Sequence, residues 1–401
     1  MKQTLVITFV SNYINHHQLP FCRAMNQKEA VEFHFVQTSP MEKKRLEMGW
    51  ALDEKKVPFV SLMYEDKEEC RRLILESDVT IFGWTDGLIR DLEEERMSSG
   101  KLSFRASERI YREGRWKFIS PRGLKEKYRE HIRYRKLPVY LLCVGAYVAS
   151  DFELIHSYPG KMLKWGYFPE NSDEALPKLN TQPSSRLKLC WAGRLISLKH
   201  PEFAVMAAKI LKEKGYDFSL DIIGDGYLKE ELRRKIKENN LESNVNLHGS
   251  KSPSEVRQFM KDADIFLFTS NYLEGWGAVV NEAMGSGCAL VASEEAGAVP
   301  FLIRSDENGL VYNDGDFKEF SEKLLYLFEN RGKIREFGLR ARETIFGSWN
   351  AEKASGELVR FCREYFENSA PTPAKDGPMS PAPSIKPAGV LRTFQEKNRL
   401  E

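Results

Sequence analysis

No stretch of this 401-residue sequence comes near the ~20 consecutive apolar residues that a membrane span requires. The longest apolar run, 137–149, contains Pro138 and Gly145 and reads as a buried strand entering a turn. The opening MKQTLVITFVSNY has a short apolar run with no small-residue cleavage site after it, which reads as a first strand and not a signal peptide. Cysteine is sparse and scattered, at 22, 70, 143, 190, 288 and 362, with no Cys-x-x-Cys. Buried thiols in a reducing cytoplasm are therefore expected, not disulfides or zinc ligands. A charge excess of one sign is missing too. Lys and Arg number 60 against 58 Asp and Glu, and a formal +2 excludes a broadly basic nucleic-acid coat. No His/Cys cluster has metal-ligand spacing, so no metal is expected.

What is present is alternation. Short β-rich apolar runs at 4–10, 33–37, 79–83, 102–106, 139–144 and 161–167 are separated by longer, charged segments with helical periodicity. A second series follows at 187–192, 218–223, 245–247, 265–269, 289–292 and 309–312. This pattern predicts parallel sheets wrapped by crossover helices. The length exceeds the ~250–300 residues at which single cores stop growing, so two doubly wound α/β domains are expected, 1–168 and 187–346. The polar, proline-bearing stretch 169–186 would link them across a cleft. A helix at 347–368 and a disordered Pro-rich tail at 369–401 would complete the chain. Ligands of such sheets bind beyond the carboxyl ends of the strands.

Two segments concentrate charge at such strand ends. In the first, a strand ends at Gly193 and Arg194 and Lys199 follow before Pro201, which places two cations where a diphosphate could sit. At an effective dielectric near 20, one charge pair at ~4 Å is worth about 4 kcal/mol before desolvation. In the second, a strand runs into a loop with Glu274, Gly275, Trp276, Gly277 and Ala278, then a helix bearing Glu282. Glu274 and Glu282 are eight positions apart, so on one continuous helix they would diverge by about 80°. With Glu274 in the loop and Glu282 on the helix, both can face one crevice, and the free amides before the helix suit an anion. A third loop carries Gly224 and Gly226 without the third glycine of a dinucleotide fingerprint. Asp262 and Asp264 precede their strand, at the end away from the site, and read as a connection and not a metal motif.

These segments in order, AGRLISLKHP, IGDGYLKEEL, VNLHGSKSPSEV, ADIFLFTS and EGWGAVVNEAMGSGCALVAS, resemble the nucleotide-sugar half of family 4 retaining glycosyltransferases, the group 1 glycosyl transferases with the GT-B fold, over 187–313. The resemblance implies two Rossmann-like domains facing a cleft, with the terminal helix returning to the first. It also implies transfer of a sugar from a nucleoside-diphosphate sugar to a hydroxyl, with retention and without a metal or other cofactor. By the same resemblance Arg194 and Lys199 would bind the diphosphate, Glu274 with the following amides the donor sugar, and Glu282 the ribose, with Gly193, Gly224 and Gly226 lining the donor site. The first half departs from the family pattern. Its first loop, SNYINHHQLP, has Asn15, His16 and His17 where many members carry a glycine pair, and SERIYREGRW offers Glu108 where they carry a histidine. Those four residues are the acceptor-side candidates. SNYINHHQLP and SERIYREGRW look like capsule and exopolysaccharide members.

One charge imbalance stands out. Residues 105–136 hold twelve Lys/Arg against four Asp/Glu, interleaved with Tyr111, Trp116, Phe118, Tyr128 and Tyr134. This suggests peripheral contact with an anionic membrane and a glycan or lipid-linked acceptor at the inner membrane face, with no nucleic-acid partner. The rival readings are a nucleotide-sugar epimerase on the same plan and a non-catalytic glycan- or nucleotide-binding homologue.

Overall fold

The apolar runs of the first half assemble into one seven-stranded parallel sheet: β1 (Leu5–Ser11), β2 (Val31–Gln37), β3 (Val60–Leu62), β4 (Val79–Phe82), β5 (Ser103–Ser107), β6 (Val139–Val144) and β7 (Met162–Trp165), in the order β3-β2-β1-β4-β5-β6-β7. The computed structural model describes residues 4–43, 56–114, 120–171, 185–368 and 370–387. The second series forms a six-stranded parallel sheet: β8 (Leu187–Ala192), β9 (Phe218–Ile223), β10 (Val245–Gly249), β11 (Ile265–Phe268), β12 (Ala289–Ser293) and β13 (Leu310–Tyr312), in the order β10-β9-β8-β11-β12-β13. The chain divides into two units, Met1–Pro169 with Asn350–Glu401, and Glu170–Trp349. Most of the interdomain stretch expected at 169–186 lies outside the described residues.

Helices cover both faces of each sheet, so the central strands read as continuous apolar runs and not as alternations. β4 (VTIF) and β11 (IFLF) are buried at every position. In both sheets the strand order reverses beside the first strand, between β1 and β4 and between β8 and β11. The crevice at such a reversal is where ligands of open α/β sheets bind. The sequence reading missed β3, whose three half-buried residues pair only with β2 at the sheet edge.

The last long helix, Ala351–Asn368, belongs to the first unit and buries Leu358, Val359, Phe361 and Cys362. Phe361 sets its ring edge-on to Tyr140 at 5.0 Å, and Arg363 donates to the Glu29 carbonyl at 2.8 Å.

The disordered tail is corrected. Residues 370–387 are placed against β7, the outer strand of the first sheet: Lys164 N–H donates to the Ser380 carbonyl at 2.7 Å, and the Met379 and Ala382 amides donate to Lys164 and Met162 at 2.9 and 3.0 Å. Met379 and Ser380 are buried. An edge strand offers unpaired backbone groups, and an extended proline-rich segment is a partner that the next chain cannot extend. Composition alone missed this, because the stabilising groups come from the sheet and not from the tail. Residues 369 and 388–401 lie outside the described residues.

Candidate functional site

In the second unit the loops after β8 and β11 meet at the reversal point. Thr269 joins them: the Trp191 indole N–H donates to its hydroxyl at 2.8 Å, and that hydroxyl donates to the Lys199 carbonyl at 2.6 Å. Asn271 adds a second link, its amide donating to the Leu198 carbonyl at 2.9 Å. The chain turns at His200 (φ 44°) into the helix Pro201–Glu213. Held this way, the Lys199 ammonium donates to the Glu274 carboxylate, with both side chains largely buried. Burial pushes the Glu274 carboxyl up; the Lys199 charge, a Ser270 hydrogen bond and the charge of Arg194 outweigh it and hold the group below the usual carboxylate value. Arg194 itself is exposed, and among the described residues its guanidinium shows no hydrogen bond or ion pair.

Glu274 lies in the loop, and Glu282 lies in the first turn of the helix Val279–Gly285. Gly277 (φ 89°) makes the turn between them, and a Cβ there would stand 2.8 Å from the Phe268 ring. Among the described residues the N–H groups of Gly275, Trp276 and Gly277 have no backbone acceptor, as an anion site requires. Glu282 is 8% exposed, and burial lifts its carboxyl to about 7 against the pull of Arg257, 3.6 Å away.

Some of the expected donor residues have another job. Trp276 is buried: its indole donates to Asn281 Oδ1 at 2.8 Å and packs on Trp349, so its ring anchors the loop from beneath and only its backbone is available to a ligand. A Cβ on Gly224 would sit 1.8 Å from the Gly193 carbonyl, and one on Gly226 2.4 Å from the Leu195 carbonyl. These glycines let the loop after β9 lie directly on the Arg194 loop. Ala278 caps the short helix.

In the first unit the acceptor-side candidates gather at the carboxyl edge of the other sheet. The Asn15 side chain accepts from the His17 amide at 3.0 Å and donates to Gln18 at 3.1 Å, so it shapes the turn. The His16 and His17 rings lie 3.9 Å apart, and His17 is 5.6 Å from the Tyr167 ring. The Tyr167 hydroxyl donates to Glu108 at 3.4 Å, and Arg112 pairs with the other Glu108 oxygen at 3.3 Å. The basic stretch is less uniform than its sequence. Arg105 is buried on Glu93, Arg109 is buried on Asp151, and Tyr111 and Tyr134 belong to the core. Trp116 and Phe118 lie outside the described residues.

Residues 172–344 match the family model described as "Glycosyl transferases group 1". That stretch of the chain is thus similar to a group 1 glycosyl transferase domain. The matched residues include all four charges expected on the donor side, Arg194, Lys199, Glu274 and Glu282. The amylovoran biosynthesis glycosyltransferase AmsK of Erwinia amylovora is 31% identical over 201 residues, 49% of this chain and 48% of that protein. The poly(ribitol-phosphate) alpha-N-acetylglucosaminyltransferase of Staphylococcus aureus is 28% identical over 160 residues, 40% and 32% of the two chains. The chain thus spans about half the length, or less, of these curated relatives. Anabaena HepE, solved with UDP and glucose, superposes with a TM-score of 0.62 at 14% identity, over 88% of this chain and 98% of that one. Its likeness gives the fold: GT-B, with two Rossmann-like parallel-sheet domains.

The sequence reading of the group 1 domain missed Thr269, Asn271 and Arg257. The first two sit inside the ADIFLFTSNY run, where a polar pair directly after a buried strand was the available signal. Arg257 lies on the helix Pro253–Asp262 among other charged residues, and nothing in its spacing distinguishes it.

Proposed function

We propose that the protein is a retaining glycosyltransferase that moves a sugar from a nucleoside diphosphate to a hydroxyl of a growing polysaccharide or lipid-linked glycan. The observation that carries this reading is the Lys199–Glu274 pair within reach of Arg194's charge, set beside unpaired amides at the β8/β11 reversal. As the bond from the anomeric carbon to the diphosphate breaks, negative charge grows on the leaving oxygen. Lys199, Arg194 and the Gly275–Gly277 amides are preorganised to meet that charge, the kind of electrostatic aid that supplies much of enzymatic rate enhancement. The two cations take the part a divalent metal plays elsewhere, so turnover is expected to survive a chelator. Glu274 orients the donor sugar and Glu282 accepts hydrogen bonds from the ribose hydroxyls. Two relatives are named for alpha-glycosyl transfer, and from an α-configured donor that outcome is retention. The acceptor binds in the first unit, beside His16, His17 and Glu108.

In this reading the protein works in the cytoplasm, against the inner membrane face. The helix Pro121–Glu130 supports that placement: it buries none of its residues and exposes Leu124, Tyr128, Arg122 and Lys125. A thermal-shift panel of nucleotide sugars, followed by NMR of the anomeric product with and without glycan acceptors, tests the function. The reading requires a melting-temperature rise with at least one donor and an α product that forms only with acceptor. Complete turnover without acceptor would favour the epimerase instead.

A further inference from the structure

We propose that residues 370–387 are a built-in block on self-association: they occupy the open edge of β7, which in their absence pairs antiparallel with β7 of a second copy of the chain. The inference stands apart from the transferase reading, since every residue it uses lies in the first unit and away from both reversal points.

The segment is anchored at both ends and by its tip. Arg360 on the terminal helix donates to the Thr372 carbonyl at 3.0 Å, while the Thr372 amide donates to Glu364 at 2.8 Å. The chain then hooks: the Ala374 amide donates to the Met379 carbonyl at 3.1 Å, and the Ser380 hydroxyl donates to the Gly377 carbonyl at 2.7 Å. At the tip Met379 takes φ 66°, a conformation that long side chains rarely adopt, and is fully buried. Ala382 packs on the core of the first unit beside Met162. Lys164 pairs with Asp376 at 3.1 Å, and the Ser384 hydroxyl donates to Glu153.

The edge under this hook is complementary to itself. β7 reads MLKW, with no proline and one charge. The Lys161 carbonyl accepts from Leu141 of β6, so residues 161, 163 and 165 bond to β6 while Met162 and Lys164 turn their backbone groups outward. The tail takes the Met162 carbonyl and both groups of Lys164, and leaves the Met162 N–H without a partner from the tail. A two-fold axis at Leu163 would set Met162 of one copy opposite Lys164 of the other. Each such pair exchanges both N–H···O bonds, so every outward group is used and no like charges face each other. The tail offers a second copy no such edge. Ser380 and Ala382 bond toward β7, so the alternate positions face away, and there Pro381 and Pro383 carry no N–H.

The test compares the full chain with one ending at Asn368, by light scattering over a concentration series, with far-UV circular dichroism as the check on folding. The shortened chain should gain mass with concentration, toward about twice that of the full chain at the same concentration. A synthetic peptide of residues 370–387 in excess should return it to the full chain's mass, and the same peptide with Met379→Asp should not. Met162→Pro in the shortened chain should abolish the gain, because it removes an N–H that the two-copy pairing uses and the tail does not. Should the shortened chain fail to fold, Met379→Asp in the full chain, which unseats the hook in place, takes its part with the same expected gain. The inference is overturned if a folded chain without the seated tail keeps the full chain's mass, if the peptide does not reverse the gain, or if Met162→Pro leaves it unchanged.

Discussion

The two units use the same sheet plan and reach opposite chemistry at the same place in it. At the β8/β11 reversal the second unit presents charge, with Lys199 and Arg194 opposite Glu274 and a buried Glu282 nearby. At the β1/β4 reversal the first unit presents aromatic rings with an acidic rim. The difference also lies in how each site is encoded. The charged site comes from two short, continuous segments, 192–201 and 269–282, whereas the aromatic recess collects residues from position 9 to position 168. The topology supplies the crevice in both cases, and the loops decide what it holds.

The sharpest way to break this contrast is to remove a charge from the second unit. Lys199→Ala leaves Glu274 buried with only Ser270 and the more distant Arg194 to hold it and, under the proposed function, takes a cation from the leaving diphosphate. The expected loss in kcat/KM is about 2–5 kcal/mol, the cost of deleting one member of a buried charge pair. A transferase assay with less than a tenfold loss would remove Lys199 from the donor site.

A smaller effect separates the two carboxylates of the second unit by pH. Glu274 is held below the usual carboxylate value, whereas burial lifts Glu282 from 4.5 to about 7. For Glu282 the folded chain keeps its proton where the unfolded chain sheds it. Its contribution to stability is therefore complete below pH 4.5 and is lost as pH rises through about 7. At about 1.4 kcal/mol for each pH unit across that window, the upper bound is about 3 kcal/mol. Glu282→Gln should flatten the melting temperature between pH 5 and 8 and should be more stable than the wild type at pH 8. An unchanged pH slope in the variant would mean that Glu282 is ionised in the free protein.

The sheets were legible in the sequence because a buried parallel strand is a continuous apolar run, and twelve such runs stand out between charged segments. The charged loops were legible because Arg194, Lys199, Glu274 and Glu282 fall in short motifs directly beyond those runs; their part in binding a donor is the proposal. What stayed hidden depends on partners far along the chain. Arg96 sits in the run RDLEEERMS and reads as a surface cation, yet it is fully buried and donates to the carbonyls of Leu75, Ser77, Asp78 and Leu102. Trp276 reads as a ligand contact beside two glycines, but its ring serves the core. Trp84 and Tyr167 lie 83 positions apart and only the sheet order brings them into contact. The tail 370–387 looks disordered until the open edge of β7 is known.

The smallest expected effect concerns the outer surface of the first unit. Of the twelve cations in 105–136, Arg105 and Arg109 are buried in ion pairs, and Arg112, Lys127, Arg129 and Arg133 have carboxylate partners on or near the surface. The attraction left for an anionic bilayer therefore rests on residues such as Arg122, Lys125, Arg135 and Lys136, with the exposed Leu124 and Tyr128 beside them. Each such cation near an anionic surface is worth about 1 kcal/mol. Arg122→Glu with Lys125→Glu should thus reduce pelleting with phosphatidylglycerol vesicles by roughly two orders of magnitude at low salt. The same change should leave nucleotide-sugar turnover on a water-soluble acceptor intact, because neither side chain belongs to either reversal point. Raising the salt should erase the difference between wild type and variant, since a contact of this kind is screened over ~10 Å at 0.1 M. Wild-type protein that never pellets would reduce the basic stretch to a solvated face stitched to its neighbours by ion pairs.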